Sequence, residues 1–185
     1  FNGSVIATQS EPYHSGNCAP VSCPSNSNGT DIPAGCTCDP GYAGTITATT
    51  IELYYSGACA AAACPAGSTG TDVVTGDCSL SAGYQGADFS PTTNGGTAYV
   101  TAVPMAVSCP PNSNGTNIPS GCMCEAGFNG SVIATQSEPY HSGSCVPVSC
   151  PPNSNGTNIP SGCVCDAGFN GSVIATQSEP YHSGN

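Results

Sequence analysis

The stretch CMCEAGFNG, Cys122 to Gly130, sets two cysteines one residue apart ahead of a glycine, an aromatic ring and a second glycine. Cys36 to Gly44 reads CTCDPGYAG and Cys163 to Gly171 reads CVCDAGFNG. Cys78 to Gly86, CSLSAGYQG, keeps the phrase but loses its second cysteine. A phrase that recurs in this way makes internal repetition the first question to settle.

Around this phrase the cysteines fall as Cys18-x4-Cys23-x12-Cys36-x-Cys38-x20-Cys59, where the pattern restarts. The repeats are 18–58, 59–103, 104–144 and 145–185, preceded at 1–17 by the end of a further repeat. The third and fourth are nearly identical, differing for example at Met123 against Val164 and Glu125 against Asp166. The second is divergent, with a longer loop centred on Asn94-Gly95-Gly96. The chain opens on FNGSVIATQSEPYHSGN and closes on the same letters at Phe169 to Asn185. The expectation is a window on a longer head-to-tail array.

The divergent repeat constrains the bonding. Where Cys38 and Cys59 stand in the first repeat and its successor, the second repeat and its successor have Leu80 and Pro104. Two cysteines lost together are expected to have been partners, since a lone survivor would be a thiol prone to mispairing. This predicts Cys38–Cys59 and Cys124–Cys145. The remaining pairs become Cys23–Cys36, Cys64–Cys78, Cys109–Cys122 and Cys150–Cys163. Cys18 and Cys165 are then left over, each expected to bond a neighbouring repeat. Fourteen cysteines at regular spacing imply an oxidising, extracellular compartment. At about 40 residues a repeat is too small for its core alone to hold it, so staples are needed.

Composition removes whole classes of function. There is no Lys or Arg, and eleven acidic residues give a formal charge of −11. Such a chain has nothing with which to neutralise phosphates, so nucleic-acid partners are excluded and anionic membrane surfaces are disfavoured. No apolar run reaches the roughly 18 residues of a membrane span. Gly (24) and Pro (17) interrupt the chain so often that long helices are not expected. Ser131 to Thr135 reads as a strand, with Ser137-Glu138-Pro139 as a turn and Tyr140 opening the return strand. Gly44 to Thr50 reads the same way in the first repeat. Each repeat is therefore read as a loop region plus one β-hairpin, in a small, disulfide-rich, all-β, elongated array.

Cys36–Gly44, Cys122–Gly130 and Cys163–Gly171 resemble the C-x-C-x-x-G-[FY]-x-G ending of an EGF-like module. EGF-like modules carry more cysteines and close their last bond over a shorter loop, so the resemblance is to a variant. The wider phrase, CP-x-NS-x-GT followed by GC-x-C, is similar to the tandem EGF-like repeats of extracellular glycoproteins of protists and algae. Those of the flagellar hairs called mastigonemes are among them. The resemblance implies a structural role in a filament or surface coat, with neighbouring copies as partners.

Candidate chemistry is sparse. His14, His141 and His182 share the motif EPYHSG, but the slot is Tyr55 in the first repeat and Val100 in the second, so a structural role is expected. The C-x-C pairs lack metal or redox spacing and read as disulfides. The stretch before Cys150, Val-Pro-Val-Ser, offers no acidic ligand for calcium. No nucleophile–base or carboxylate pair recurs, so neither an enzyme nor a cofactor is expected. Aromatic rings at Phe1, Tyr42, Tyr84, Phe128 and Phe169, and at Tyr13, Tyr54, Tyr99, Tyr140 and Tyr181, are expected to be the apolar payload packed on the disulfides. Asn2, Asn28, Asn114, Asn129, Asn155 and Asn170 each begin an N-G-[ST] sequon, so covalent glycans are expected. The rival to a filament is an adhesive or receptor ectodomain that binds through the divergent repeat.

Overall fold

The computed structural model describes residues 2–93 and 99–184. Phe1 and the Asn94-Gly95-Gly96 loop, both singled out above, lie outside the described residues. The fold is nearly all β, built from paired strands of two to four residues. Its helical content among the described residues is two single 3-10 turns, Ile118–Ser120 and Ile159–Ser161. Each opens with an Asn whose side-chain oxygen accepts an N–H (Asn117 from Ser120, Asn158 from Ser161) and carries Pro in its first turn.

A repeat contains three short antiparallel ladders rather than one hairpin. The first joins the sequon to the C-x-C: Ser27–Asn28 with Thr37–Cys38, Ser113–Asn114 with Met123–Cys124, and Ser154–Asn155 with Val164–Cys165. The second crosses to the next repeat: Tyr42–Gly44 pairs Cys59–Ala61, Tyr84–Gln85 pairs Met105–Ala106, and Phe128–Gly130 pairs Cys145–Pro147. Asn2–Gly3 pairs Cys18–Ala19 in the same way. The third is a small hairpin: Ile6–Ala7 with His14–Ser15, Thr47–Ala48 with Tyr55–Ser56, Ile133–Ala134 with His141–Ser142, and Ile174–Ala175 with His182–Ser183. In the divergent repeat it widens to Asp88–Pro91 with Val100–Ala102 and carries a register irregularity.

The expected strand over Ser131 to Thr135 thus contracts to Ile133–Ala134. Tyr140 sits at a φ of +66°, so the return strand begins one residue later, at His141. A non-glycine residue in that left-handed region cannot continue an extended strand.

The chain divides into two compact units. One is Phe1–Ser79 with Ala87–Val103, the other Leu80–Gly86 with Pro104–Asn185. The first buries Ile32 and a cluster of Ala62, Val73 and Val100, against which Phe89, Tyr99 and Cys78 pack. The second buries Ile118, Ile159 and Cys145. Branched aliphatic residues therefore form most of the core. The aromatic rings lie around it, and Tyr13 and Phe169 are more than half exposed. Cores this small leave much of the stability to covalent staples.

Candidate functional site

The six disulfides are Cys23–Cys36, Cys38–Cys59, Cys64–Cys78, Cys109–Cys122, Cys124–Cys145 and Cys150–Cys163. Four close loops inside a repeat. Cys38–Cys59 and Cys124–Cys145 tie one repeat to the next. Cys18 is exposed, Cys165 is half-buried, and both are unpaired.

The tie between repeats is one junction built again and again. Beside each inter-repeat disulfide runs the second ladder, in register Gly44 to Cys59 and Gly130 to Cys145. One residue before that ladder comes a glycine turn. The Gly41 N–H donates to the Thr92 carbonyl, while the Gly41 carbonyl accepts from Ala62. Gly127 donates to Thr176 and accepts from Val148; Gly83 donates to Thr135 and accepts from Val107. Asn26 and Asn112 side chains add hydrogen bonds to the carbonyls of Cys59 and Cys145, at 3.4 and 3.5 Å.

Replacing these glycines is costly on two counts. Gly41, Gly83 and Gly127 have φ of +81°, +82° and +82° and are buried. A Cβ on Gly127 would meet Ile159 Cγ2 at 3.0 Å, Ala175 Cβ at 3.2 Å and Pro160 Cδ at 3.2 Å. A Cβ on Gly83 would meet Ile118 Cγ2 at 2.9 Å and Pro119 Cδ at 3.0 Å. Gly83 and Gly127 are pressed into a socket made by the Ile-Pro turn and the small hairpin of the following repeat, whereas a Cβ on Gly41 would meet Val74 Cγ2 at 3.0 Å and Pro91 Cβ at 3.1 Å. Gly168 keeps the same left-handed backbone, φ +89°, but is exposed and has open space around it.

The junction at Leu80 and Pro104 keeps its ladder and glycine socket without a disulfide. The pairs Tyr84 to Ala106 and Gln85 to Met105 hold the register, and Pro104 is buried where Cys59 and Cys145 are buried elsewhere. Gln136 Nε2 donates to the Leu80 carbonyl at 2.9 Å. Sequence reading missed the socket. Its signal was a glycine at one slot in all four repeats, 41, 83, 127 and 168, which even the divergent repeat retains.

The sequons fall into two sets, all exposed. Asn28, Asn114 and Asn155 stand directly across the first ladder from Thr37, Met123 and Val164. Asn2 and Asn129 lie on the second ladder, opposite Ala19 and Val146, and Asn170 occupies the same slot outside any ladder. In the divergent repeat the first slot is Thr69, facing Ser79, with no sequon.

Among the described residues the one group with metal-ligand proximity is Cys64, Asp77 and Cys78. Cys64 and Cys78 are bonded to each other, so neither offers a thiolate. The Asp77 carboxylate instead takes the Thr71 N–H at 2.9 and 3.0 Å and the Thr75 hydroxyl at 2.9 Å. The Thr71 backbone hydrogen bond is the largest cause holding its carboxyl below the usual aspartate range. Among the described residues no helix is long and apolar enough to cross a membrane.

Compared with protein-family models, with curated proteins and with solved structures, the chain matches none.

Proposed function

We propose that this chain is a structural component of an extracellular filament or surface coat, built from head-to-tail repeats and covered by N-glycans. The observation that carries the reading is the junction: one ladder and one glycine socket at each boundary between the four repeats, with a disulfide tie at two of the three. A heterologous contact of this kind propagates instead of closing. Disulfides across the boundaries resist extension covalently, and the ladders order the chain between them. Glycans on the exposed sequons would supply the hydration that a chain with 6% charged residues lacks. The oxidising compartment implied by six disulfides fits such a role. The resemblance to EGF-like repeats of flagellar-hair glycoproteins points the same way.

Electron microscopy of the native secreted material tests it. Filaments or an ordered coat decorated by an antibody to this chain are expected; dispersed single particles would end the proposal.

One observation favours the adhesive reading. In the first unit a groove of about 550 Å³ is lined by Cys36, Cys38, Tyr42, Ile46, Thr93 and Tyr99, the last two from the divergent hairpin. Its counterpart in the second unit, beside Met123 and Tyr181, holds only about 250 Å³. Retention of the chain on an immobilised surface-glycan array, lost in Tyr99→Ala, would move the assignment to binding.

A further inference from the structure

Two grooves occupy the same place in different repeats. In the first unit a groove of about 550 Å³ has Thr37, Tyr42, Thr45, Thr93 and Tyr99 in its lining. Its counterpart of about 250 Å³ in the second unit is lined in part by Met123, Gln177 and Tyr181. Thr37 and Met123 are the middle residues of their C-x-C pairs. Thr93 and Gln177 each follow the threonine whose carbonyl accepts a junction glycine's N–H, Thr92 from Gly41 and Thr176 from Gly127. Gln177 Nε2 donates to the Cys124 carbonyl at 3.4 Å, and Gln136 makes the same bond to Leu80 at 2.9 Å. Thr93 is too short for that reach, which leaves the first groove open.

Its size and lining suit a sugar. About 550 Å³ lies within the roughly 300–1,000 Å³ of small-ligand pockets, and about 250 Å³ lies below it. Tyr42 and Tyr99 are half-buried rings, and the negative face of an aromatic ring attracts the C–H face of a pyranose. The hydroxyls of Thr45 and Thr93 and both phenol oxygens have no hydrogen-bond partner among the described residues. No charged side chain is among the described residues that line the groove, so a neutral polyol is the ligand it fits. A tether for one stands at its rim. Asn28 faces Thr37 directly across the first ladder. Residues paired in this way put both side chains on one face of the sheet, with Cβ atoms about 5 Å apart. Asn28 is exposed and opens the sequon Asn28-Gly29-Thr30, so a sugar on its Nδ2 starts beside the groove wall.

We propose that the innermost N-acetylglucosamine of the chain's own Asn28 glycan lies in this groove, against the rings of Tyr42 and Tyr99. The link forms when the Asn28 amide nitrogen attacks the sugar's first carbon, loses a proton and displaces the diphosphate of a lipid-linked oligosaccharide donor. A tethered ligand competes at an effective concentration on the order of millimolar, so a stack too weak to hold a free sugar can hold this one. The seated sugar braces the first repeat against the divergent hairpin, beside the Cys38–Cys59 tie, and closes the groove to an outside ligand. The inference rests on the glycan-covered reading above and says where one of those glycans lies.

Hydroxyl-radical labelling of the full glycosylated chain, read by mass spectrometry, tests the seat. Met105, which faces Gln85 and no sequon, is the internal standard. Tyr42 and Tyr99 should be oxidised at least fivefold more slowly than in Thr30→Ala or Asn28→Gln, with the six disulfides intact in both variants. Trimming the glycan to its innermost sugar should keep that protection, and removing it whole should abolish it. Equal rates with and without the glycan, or an Asn28 that carries no sugar, would overturn the seat. So would protection that grows with protein concentration, or that a glycosylated chain confers on labelled Thr30→Ala chains, since the occupant would then be a second copy's glycan. Native filaments with unprotected tyrosines would refute the seat alone. Protected tyrosines in dispersed native particles would refute the filament reading alone.

Discussion

The hydroxyls of Thr69 and Ser79 lie 3.0 Å apart, facing each other in the divergent repeat. The other three repeats place a sequon asparagine there, with Thr37, Met123 or Val164 opposite. Where the asparagine is lost, the facing residue is a small polar one that satisfies the replacement. Where it is kept, an exposed methyl-bearing side chain stands beside it, with Met123 at 64% and Val164 at 73% exposure. The apolar face of a sugar ring is a natural cover for such a side chain.

The two methionines turn that pairing into a measurement. Met105, 58% exposed, faces Gln85 and has no sequon across from it. In the glycosylated protein, peroxide should oxidise Met123 several times more slowly than Met105. Enzymatic deglycosylation should bring the two rates together. Equal rates before deglycosylation would show that no sugar rests on Met123.

The junction at Leu80 and Pro104 is a natural variant lacking its staple, and its ladder keeps the register that the others hold. Leu80→Cys with Pro104→Cys is therefore expected to form the missing disulfide, seen by non-reducing peptide mapping. Closing a loop of this size is worth about 3 kcal/mol in the chain-entropy model, so the urea midpoint should rise. Either single substitution should instead give thiol-linked dimers. Reshuffling among the other six bonds in the double variant would disprove the equivalence of this junction with its neighbours.

Much of this was legible in the sequence, for physical reasons. Cysteine spacing is rigid information, and the period and the staples follow from it, while the frequent Gly and Pro and the β-branched runs mark the all-β class. The three ladders were not legible. A strand of two residues has no alternation to display, so the β-branched run at Val132, Ile133 and Thr135 looked longer than Ile133–Ala134 proves to be. The core was misjudged too. The rings of Tyr42 and Phe128 outweigh Ile32 and Ile159, yet those isoleucines and not the rings are buried. The Ile-Pro turn roofs the glycine of the preceding repeat, a contact that only register could reveal.

Asp77 gives the divergent repeat a pH dependence. Its folded-state carboxyl is depressed by hydrogen bonds, first from the Thr71 N–H, relative to an unfolded value of about 3.9. The carboxylate therefore contributes stability that is fully present above the unfolded value and is lost as pH falls through the folded one. Urea midpoints of the parent protein should decline from pH 5 downward more steeply than those of Asp77→Asn. Parallel declines would mean that the Thr71 bonds are not held in solution.

Gly127 and Gly168 separate backbone strain from packing at one repeat position. Both sit near φ +85°, at +82° and +89°, so alanine costs each about 1–2 kcal/mol for the left-handed conformation alone. Only Gly127 also presses on Ile159, Pro160 and Ala175, where an added methyl lacks room and overpacking costs about 1–3 kcal/mol more. Measured by urea unfolding in a Cys165→Ser background, kept dilute so that copies stay apart, Gly127→Ala should lose clearly more stability than Gly168→Ala. The gap between the two is the packing contribution of one filled socket. Losses of equal size would show that the socket exerts no pressure in solution, and the repeat junction would then rest on its ladder and disulfide alone.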